Sequence, residues 1–385
     1  MKYIKYTLLI ILVMLTIAII FGISMGARVH YGDNPLALNW DNEGPYIFFK
    51  NDRVLDVYYI KRNNDGGYYS KRQDYPIDSL VLATSYYPLD NTSFDVEIKT
   101  DFEIPKSIYN DNNKILAISD IESNYKTFRD FLKNNKVIDH NLNWTFGKGH
   151  LVLVGDFIDR GYFTTQVLWF IYKLEQEAEK QGGNVHYIIG NHELKMMYGN
   201  YGATDHKYRD IASIIGKNEI DLYSKNSLIG TWLASKNAIE LINGNLFVHG
   251  GIHPDLAESK LTLEEMNQVM RASYYQAFDP ESSKIQDKLL ISNKTGPSWY
   301  RGYFKDGLTQ QQVELGLNKF NAKSVIVGHT LQAKVNRLYD DKVIGIDVSH
   351  PNDDHKLWPE GKSEGLLIVG DKYYRVFNNG EKQEL

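Results

Sequence analysis

Five short polar clusters carry the residue types of a hydrolytic metal centre, and each follows a short apolar run. In chain order they are Ser119-Asp120-Ile121-Glu122-Ser123-Asn124, Gly155-Asp156-Phe157-Ile158-Asp159-Arg160-Gly161, Gly190-Asn191-His192-Glu193, His249-Gly250-Gly251-Ile252 and Gly328-His329-Thr330. Taken singly each has an ordinary reading: an Asp-x-Glu can be a helix cap with a first-turn acid, and a histidine that ends a strand is usually a satisfied core or surface residue. Five in order, all at the same kind of position, form a joint signal. Asp156 can bridge two cations, because a carboxylate has two oxygens and paired ions used for in-line attack at phosphorus lie about 3.5–4 Å apart. Asn191, His249 and His329 can complete one ion, while Asp120 and Asp156 begin the other. His192 sets a proton donor in the same tight turn as Asn191. Water held between two such ions becomes hydroxide near neutral pH, and that hydroxide is the expected nucleophile.

The elements that must position these clusters are strands at 115–118, 151–154, 186–189, 246–248 and 324–327, with helices starting near Tyr125 and covering 167–180. Polar loops at the carboxyl ends of strands are where α/β folds gather their chemistry. Further strands are expected at 343–348, 365–369 and 373–377, the last two joined by a Gly370-Asp371 hairpin turn. Residues 28–112 read as β-rich, with strands at 46–50 and 54–60 around an Asn51-Asp52-Arg53 turn. Their dense tyrosines (Tyr58, Tyr59, Tyr68, Tyr69, Tyr86, Tyr87) suit alternate positions of a half-buried sheet, or else a partner surface.

Composition limits the alternatives. The 385 residues carry 43 Lys and Arg against 48 Asp and Glu, a formal charge of −5, so no broad cationic surface for nucleic acid is expected. Zero cysteines exclude disulfides, thiolate zinc sites, Cys-ligated iron–sulfur clusters and cysteine nucleophiles, leaving His, Asn and carboxylates as metal donors. From Tyr6 to Ala27 there is no charged residue; at about 1.5 Å per residue such a run spans a bilayer core. Lys2 and Lys5 precede it and only Arg28 closely follows, so the N-terminus is expected in the cytoplasm and the body on the extracytoplasmic side. A cleaved signal peptide, with Ser24 and Gly26 as small residues near the cut, is the alternative.

Gly155-Asp156-x-x-Asp159-Arg160-Gly161, Gly190-Asn191-His192-Glu193, His249-Gly250-Gly251 and Gly328-His329-Thr330 together resemble the ordered signature of the calcineurin-like metallophosphoesterases. The intact Asp-Arg-Gly and Asn-His-Glu strings resemble the phosphoprotein phosphatase branch and its bacterial relatives. The similarity covers roughly residues 114–350. It implies an α/β fold, a central β-sandwich flanked by helices, with Asp120, Asp156, Asn191, His249 and His329 as metal ligands. It further implies that His192 is the general acid, oriented by Asp159, and that Arg160 grips phosphate oxygens. Arg301, in Gly296-Pro297-Ser298-Trp299-Tyr300-Arg301-Gly302, resembles the second such arginine; a guanidinium donates two parallel bonds to a phosphoryl group. One string departs from the pattern: where the family has Asp-x-His-Gly, this chain has Asp120-Ile121-Glu122-Ser123. Glu122 either ligates as a hard anionic oxygen, which moves preference from zinc toward manganese, magnesium or iron, or turns away and leaves the first ion loosely held. Ser123 brings an extra side chain near the same ion.

The expected organisation is a cytoplasmic N-terminus (1–5), a transmembrane anchor or signal peptide (6–27), a small β-rich region of unnamed role (28–112) and a metallophosphoesterase domain (113–385). The expected activity is phosphomonoester hydrolysis, on phosphoprotein, with two divalent ions, manganese favoured over iron, magnesium or zinc. The partners are then a phosphorylated substrate and, through the N-terminal helix, the lipid bilayer. Two alternatives stand beside it: cleavage of nucleotides or dinucleoside polyphosphates, and a membrane-tethered binding protein whose centre is impaired by Glu122.

Overall fold

Runs such as Ile115-Leu116-Ala117-Ile118 are apolar at consecutive rather than alternate positions, the pattern of strands covered on both faces. The structure, a computed structural model, describes residues 2–24, 27–276 and 285–385. These runs form two six-stranded mixed sheets. The first has the strand order Asn184–Tyr187, His150–Leu153, Ile115–Ile118, Glu364–Val369, Lys372–Phe377, Lys382–Glu384; the second has Asn336–Leu338, Val343–Gly345, Ser324–Val327, Asn245–Val248, Ile239–Ile242, Ile108–Tyr109. Ile115, Ala117, Val152, Leu366 and Ile368 of the first sheet share one buried cluster with Phe247, Ile326 and Ile344 of the second. The sheets therefore pack face to face. The alternate residues Leu116, Ile118, Leu151 and Leu153 point the other way, into a core with Phe128 and Phe131 of the helix Tyr125–Asn134 and Phe170 of the helix Thr164–Lys180. Each such fully buried side chain contributes roughly 1.5–3 kcal/mol by leaving water.

Ile115–Ile118, His150–Leu153 and Asn184–Tyr187 are parallel neighbours, connected through those two helices. Asn245–Val248, Ser324–Val327 and Val343–Gly345 are parallel in the second sheet. Their carboxyl ends share one edge of the sandwich, so six loops leave together. Two strands end earlier than their apolar runs. The strand expected at 186–189 lies at Asn184–Tyr187, leaving Ile188 and Ile189 buried but outside it. The strand expected at 343–348 ends at Gly345, because Ile346 N still bonds Val327 O while Gln332 N already takes Asp347 O, turning Asp347 out of the ladder. The hairpin turn at Gly370-Asp371 closes the register pair Val369 and Lys372, with Gly370 at φ 60°.

Before the sandwich, Tyr46–Asn51, Val54–Arg62 and Tyr68–Pro76 form an antiparallel sheet, and Val81–Tyr87 pairs with Thr92–Ile98. Of the six tyrosines, Tyr58 and Tyr87 are buried, Tyr59, Tyr68 and Tyr86 half-buried, and Tyr69 exposed, the mixture a half-buried sheet produces. Phe48, Leu55, Tyr87 and Phe94 belong to the same core as the helix Thr164–Lys180. That helix also donates Trp169 Nε1 to Pro45 O (2.8 Å) and Gln166 Nε2 to Tyr86 O (2.9 Å). Ile108–Tyr109 already pairs with Ile239–Ile242 of the second sheet.

Lys2–Ser24 is a helix whose span Tyr3–Ile23 is wholly unburied. It is the one helix among the described residues long and apolar enough to cross a membrane. Met25 and Gly26, which belong to the expected 6–27 segment and to the alternative cleavage site, lie outside the described residues.

Candidate metal centre

The clusters leave their strands in left-handed backbone. Asp120, Glu122, Ser123, Asp156, Asp159, Arg160 and His329 have φ between 49° and 75°, a region L residues avoid and which concentrates where side chains must be aimed. Backbone bonds tie the loops together: Asp120 N donates to Gly155 O (3.0 Å), Glu122 N to Asp156 O (3.0 Å) and Gly328 N to His249 O (2.9 Å). The flanking glycines mark close approach. A Cβ at Gly190 would collide with Asp156 Oδ1, and one at Gly328 would stand 2.5 Å from Asp120 Oδ2.

Asp156, His249 and His329 each offer a donor atom within 4.8 Å of the others, all buried. His249 Nε2 is 3.2 Å from Asp156 Oδ2 and 3.2 Å from Asn191 Oδ1. The far nitrogen of each ring is tied to a carbonyl: His249 Nδ1 to Val154 O (2.7 Å) and His329 Nε2 to Trp299 O (3.0 Å). A carbonyl only accepts, so each ring places a hydrogen there and turns its other nitrogen toward Asp156. That point demands positive charge. Burial works against a charged His249, yet the carboxylates of Asp156 and Asp120 hold its pKa at about 9; burial and then His249 push His329 down to about 2. Turning the Asn191 amide would offer its nitrogen to His329 Nδ1 at 2.8 Å. A protonated His249 and a bound cation both favour the oxygen inward, and we adopt that orientation. Two imidazoles, an amide oxygen and a carboxylate around one point fit a borderline divalent ion.

Asp120 approaches from the other side, its Oδ2 accepting from His329 N (3.1 Å). Burial, and after it Asp347, drives the Asp120 carboxyl well above its usual range. Asp347 is driven up in the same direction by burial and then by Glu122 and Asp156, against the pull of Arg301. Four carboxylates repelling one another in a buried cleft are what cations relieve. Glu122 stands at the rim, its Oε1 accepting from Arg160 Nη1. Ser123 is turned away: its Oγ donates to Asp159 O (2.9 Å) and bonds Thr164 Oγ1 (2.6 Å), so its extra atoms stay out of the centre.

His192 N donates to Asp156 Oδ1 (2.9 Å), and its Nδ1 lies 2.7 Å from Asp159 Oδ2, both groups buried. Nδ1 therefore carries the hydrogen, and Nε2 faces Arg160 Nη2 (3.1 Å) and Lys195 Nζ (3.4 Å). Arg301 Nη1 donates to His329 O and to Thr330 Oγ1 (3.3 Å). Thus Asp156, Asn191, His249 and His329 form one group, with Asp120 beside it, the His192–Asp159 pair against it, and Glu122, Arg160 and Arg301 at its edge. Three residues escaped the sequence reading. Asp347 was hidden in an expected strand. Glu193 has no evident role in its Asn-His-Glu string, yet its carboxylate accepts from Asp156 N (3.0 Å), Phe157 N (2.9 Å), Gly190 N (2.8 Å) and Tyr187 OH (2.9 Å). Lys195 was not singled out, although it follows His192 by three on a helix, a spacing that shares a face.

The family model described as calcineurin-like phosphoesterase matches residues 113–333. The chain is 28% identical over 234 residues to Shewanella-like protein phosphatase 1 of Plasmodium berghei (strain Anka), covering 57% of this chain and 62% of that protein, so it spans less than two thirds of that relative. It is 24% identical over 360 residues to Shewanella-like protein phosphatase 2 of Arabidopsis thaliana, covering 79% and 84%. Among solved structures, the cold-active protein-tyrosine phosphatase of a psychrophile Shewanella sp. is similar with a TM-score of 0.76 at 31% identity, over 89% of this chain and 99% of that one. The shared mixed α/β fold, the matched span and the buried donor cluster agree, and the chain belongs to the calcineurin-like phosphoesterases.

Proposed function

We propose that this chain is a phosphatase that removes the phosphoryl group from phosphomonoesters, phosphorylated protein side chains among them, with a pair of divalent ions. The observation that carries the reading is the convergence of Asp156 Oδ2, Asn191 Oδ1, His249 Nε2 and His329 Nδ1 beside the His192–Asp159 pair. These four would hold one ion; Asp120 and Asp156, with Glu122 at the edge, would hold the other. Bound ions supply Lewis acidity and a water acidic enough to attack near neutral pH. Manganese suits the mixed oxygen and nitrogen donors, with iron, magnesium or zinc as alternatives. Arg160 and Arg301 take the phosphoryl oxygens. Asp159 fixes the Nδ1–H of His192, so that Nε2 is the nitrogen that delivers a proton to the leaving oxygen. Relatives named as protein phosphatases, one of them a protein-tyrosine phosphatase, support a protein substrate.

The test is hydrolysis of phenyl phosphate, whose leaving group needs the proton, with added manganese. Loss of general acid catalysis in His192→Ala lowers kcat by about 10²–10⁴, and Asp156→Asn loses activity together with metal. Unchanged activity in both variants overturns the assignments. Phosphopeptides compared with nucleotides and dinucleoside polyphosphates decide between the two hydrolase readings, and inactivity on every ester favours the binding protein. For the N-terminal helix we propose an uncleaved anchor with the body outside the cytoplasm, since Lys2 and Lys5 lie before the apolar span. Protease added to intact cells should then digest the body; full protection overturns that orientation.

A further inference from the structure

His192 and Lys195 stand three residues apart on the helix Asn191–Tyr198, so their side chains leave the same face. Lys195 Nζ lies 3.4 Å from His192 Nε2 and 5.4 Å from the centre of the Trp299 ring. Its other polar neighbour is the Asn191 amide at 3.3 Å, an acceptor only if that amide is turned. With the Asn191 oxygen inward, toward the charge at Asp156, Lys195 meets a nitrogen there, a donor like itself. A half-buried ammonium is thus held by an indole face and one lone pair, in the attracting field of Asp156 and Asp159 and the repelling field of Arg160 and Arg301. It is matched for an anionic oxygen that the described residues do not supply.

We infer that Lys195 is a catalytic residue that stabilises negative charge on the leaving oxygen of the substrate. This rests on the proposed role of His192 as proton donor, since the location of Nε2 defines where the leaving oxygen must come. Nε2 is flanked by Arg160 Nη2 at 3.1 Å and Lys195 Nζ at 3.4 Å. Of the two cations, Arg160 reaches from there to the Glu122 carboxylate, while Lys195 reaches to the Trp299 ring, which leaves Lys195 for the oxygen that Nε2 serves. As the water oxygen bonds to phosphorus, the bond from phosphorus to the leaving oxygen breaks and its electron pair stays on that oxygen. His192, once it has taken a proton on Nε2 from solvent, gives that proton to the oxygen and returns to the form whose Nε2 lone pair faces Arg160 and Lys195. Lys195 donates a hydrogen bond to it and keeps all its own protons. The ammonium therefore matters most where bond breaking outruns proton transfer, and for leaving groups that bear charge poorly.

The experiment measures kcat/KM on a series of aryl phosphates of graded phenol acidity, with the full chain and manganese, for wild type, Lys195→Met and Lys195→Arg. A charge-assisted hydrogen bond is lost, so Lys195→Met should fall roughly tenfold or more for the least acidic phenol and under about threefold for 4-nitrophenol. Lys195→Arg, which keeps the charge, should restore the shallower dependence. An active wild type whose dependence on phenol acidity is shared by Lys195→Met, whether the variant is equally slowed throughout or unchanged, overturns the role of Lys195 and leaves the phosphatase reading intact. A wild type inactive on every ester removes both.

Discussion

The guanidinium of Arg160 is shared between the centre and its rim: Nη1 donates to the Glu122 carboxylate while Nη2 lies 3.1 Å from His192 Nε2. Glu122 occupies the position where the family string has histidine, and here it holds an arginine that a phosphoryl group would also claim. The two anions compete. Glu122→Gln should therefore tighten inorganic phosphate binding at saturating manganese by roughly two- to fivefold, the size of a partly exposed ion pair. Isothermal titration of phosphate reads this directly. Weaker binding in Glu122→Gln would show that Glu122 positions Arg160 for the anion rather than withholding it.

His249 and a metal ion compete for the same place. The Asp156 and Asp120 carboxylates hold the imidazole at about 9 against the opposing effect of burial, so below that pH its inward nitrogen carries a proton in the metal-free protein. A divalent ion must displace it. The apparent affinity of the Asp156–Asn191–His249–His329 position should rise about tenfold per pH unit from pH 6 to 8, with about one proton released per ion. Titrations of manganese in buffers of different ionisation enthalpy count that proton. His249→Asn should abolish the release, and a wild type that binds manganese without releasing protons contradicts the assignment of His249.

Much of this centre was legible because strand ends are written locally. An apolar run followed by a glycine beside an acid, an amide or a histidine announces where Asp156, Asn191, His249 and His329 emerge, and the glycines report the close approach seen at Gly190 and Gly328. Asp347 was not legible, since the apolar residues around it read as continuous strand and only the sandwich brings that end to Asp120. The packing of the N-terminal sheet onto the helix Thr164–Lys180 was likewise beyond reach. Phe48 and Phe170 are some 120 positions apart in a chain whose patterns report only neighbours. The ion pair of Glu122 with Arg160 depends on two loops whose meeting no spacing encodes.

Glu193 holds two of those loops in register. Oε2 accepts from Asp156 N and Gly190 N, and Oε1 from Phe157 N and Tyr187 OH, at 2.8–3.0 Å. In Glu193→Gln one accepting oxygen becomes an amide nitrogen, leaving two buried donors facing a donor. Each orphaned donor costs about 1–3 kcal/mol, so the variant should lose several kcal/mol in urea unfolding and weaken manganese binding through the displaced Asp156 loop. A loss below about 1 kcal/mol would mean the loops are fixed by their own backbone bonds.

His350 should make stability depend on pH from beneath the centre. The ring is buried; Nε2 lies 3.0 Å from Ser119 O, next to Asp120, and Nδ1 has no hydrogen-bond partner among the described residues. Burial lowers its pKa from 6.5 to about 4, only partly offset by the Ser119 carbonyl. Between those values the unfolded chain binds a proton that the folded protein refuses, so stability rises with pH across this window and is lost as pH falls through it. At about 1.4 kcal/mol per unit, the group should remove roughly 3 kcal/mol by pH 4 and nothing further above pH 6.5. His350→Gln retains a donor to Ser119 O and cannot charge. Urea unfolding at successive pH values should give wild-type and variant curves that run parallel above pH 6.5 and diverge below it, the wild type falling faster. Curves that stay parallel down to pH 4 would mean that the folded protein takes up the proton at His350 as readily as the unfolded chain does.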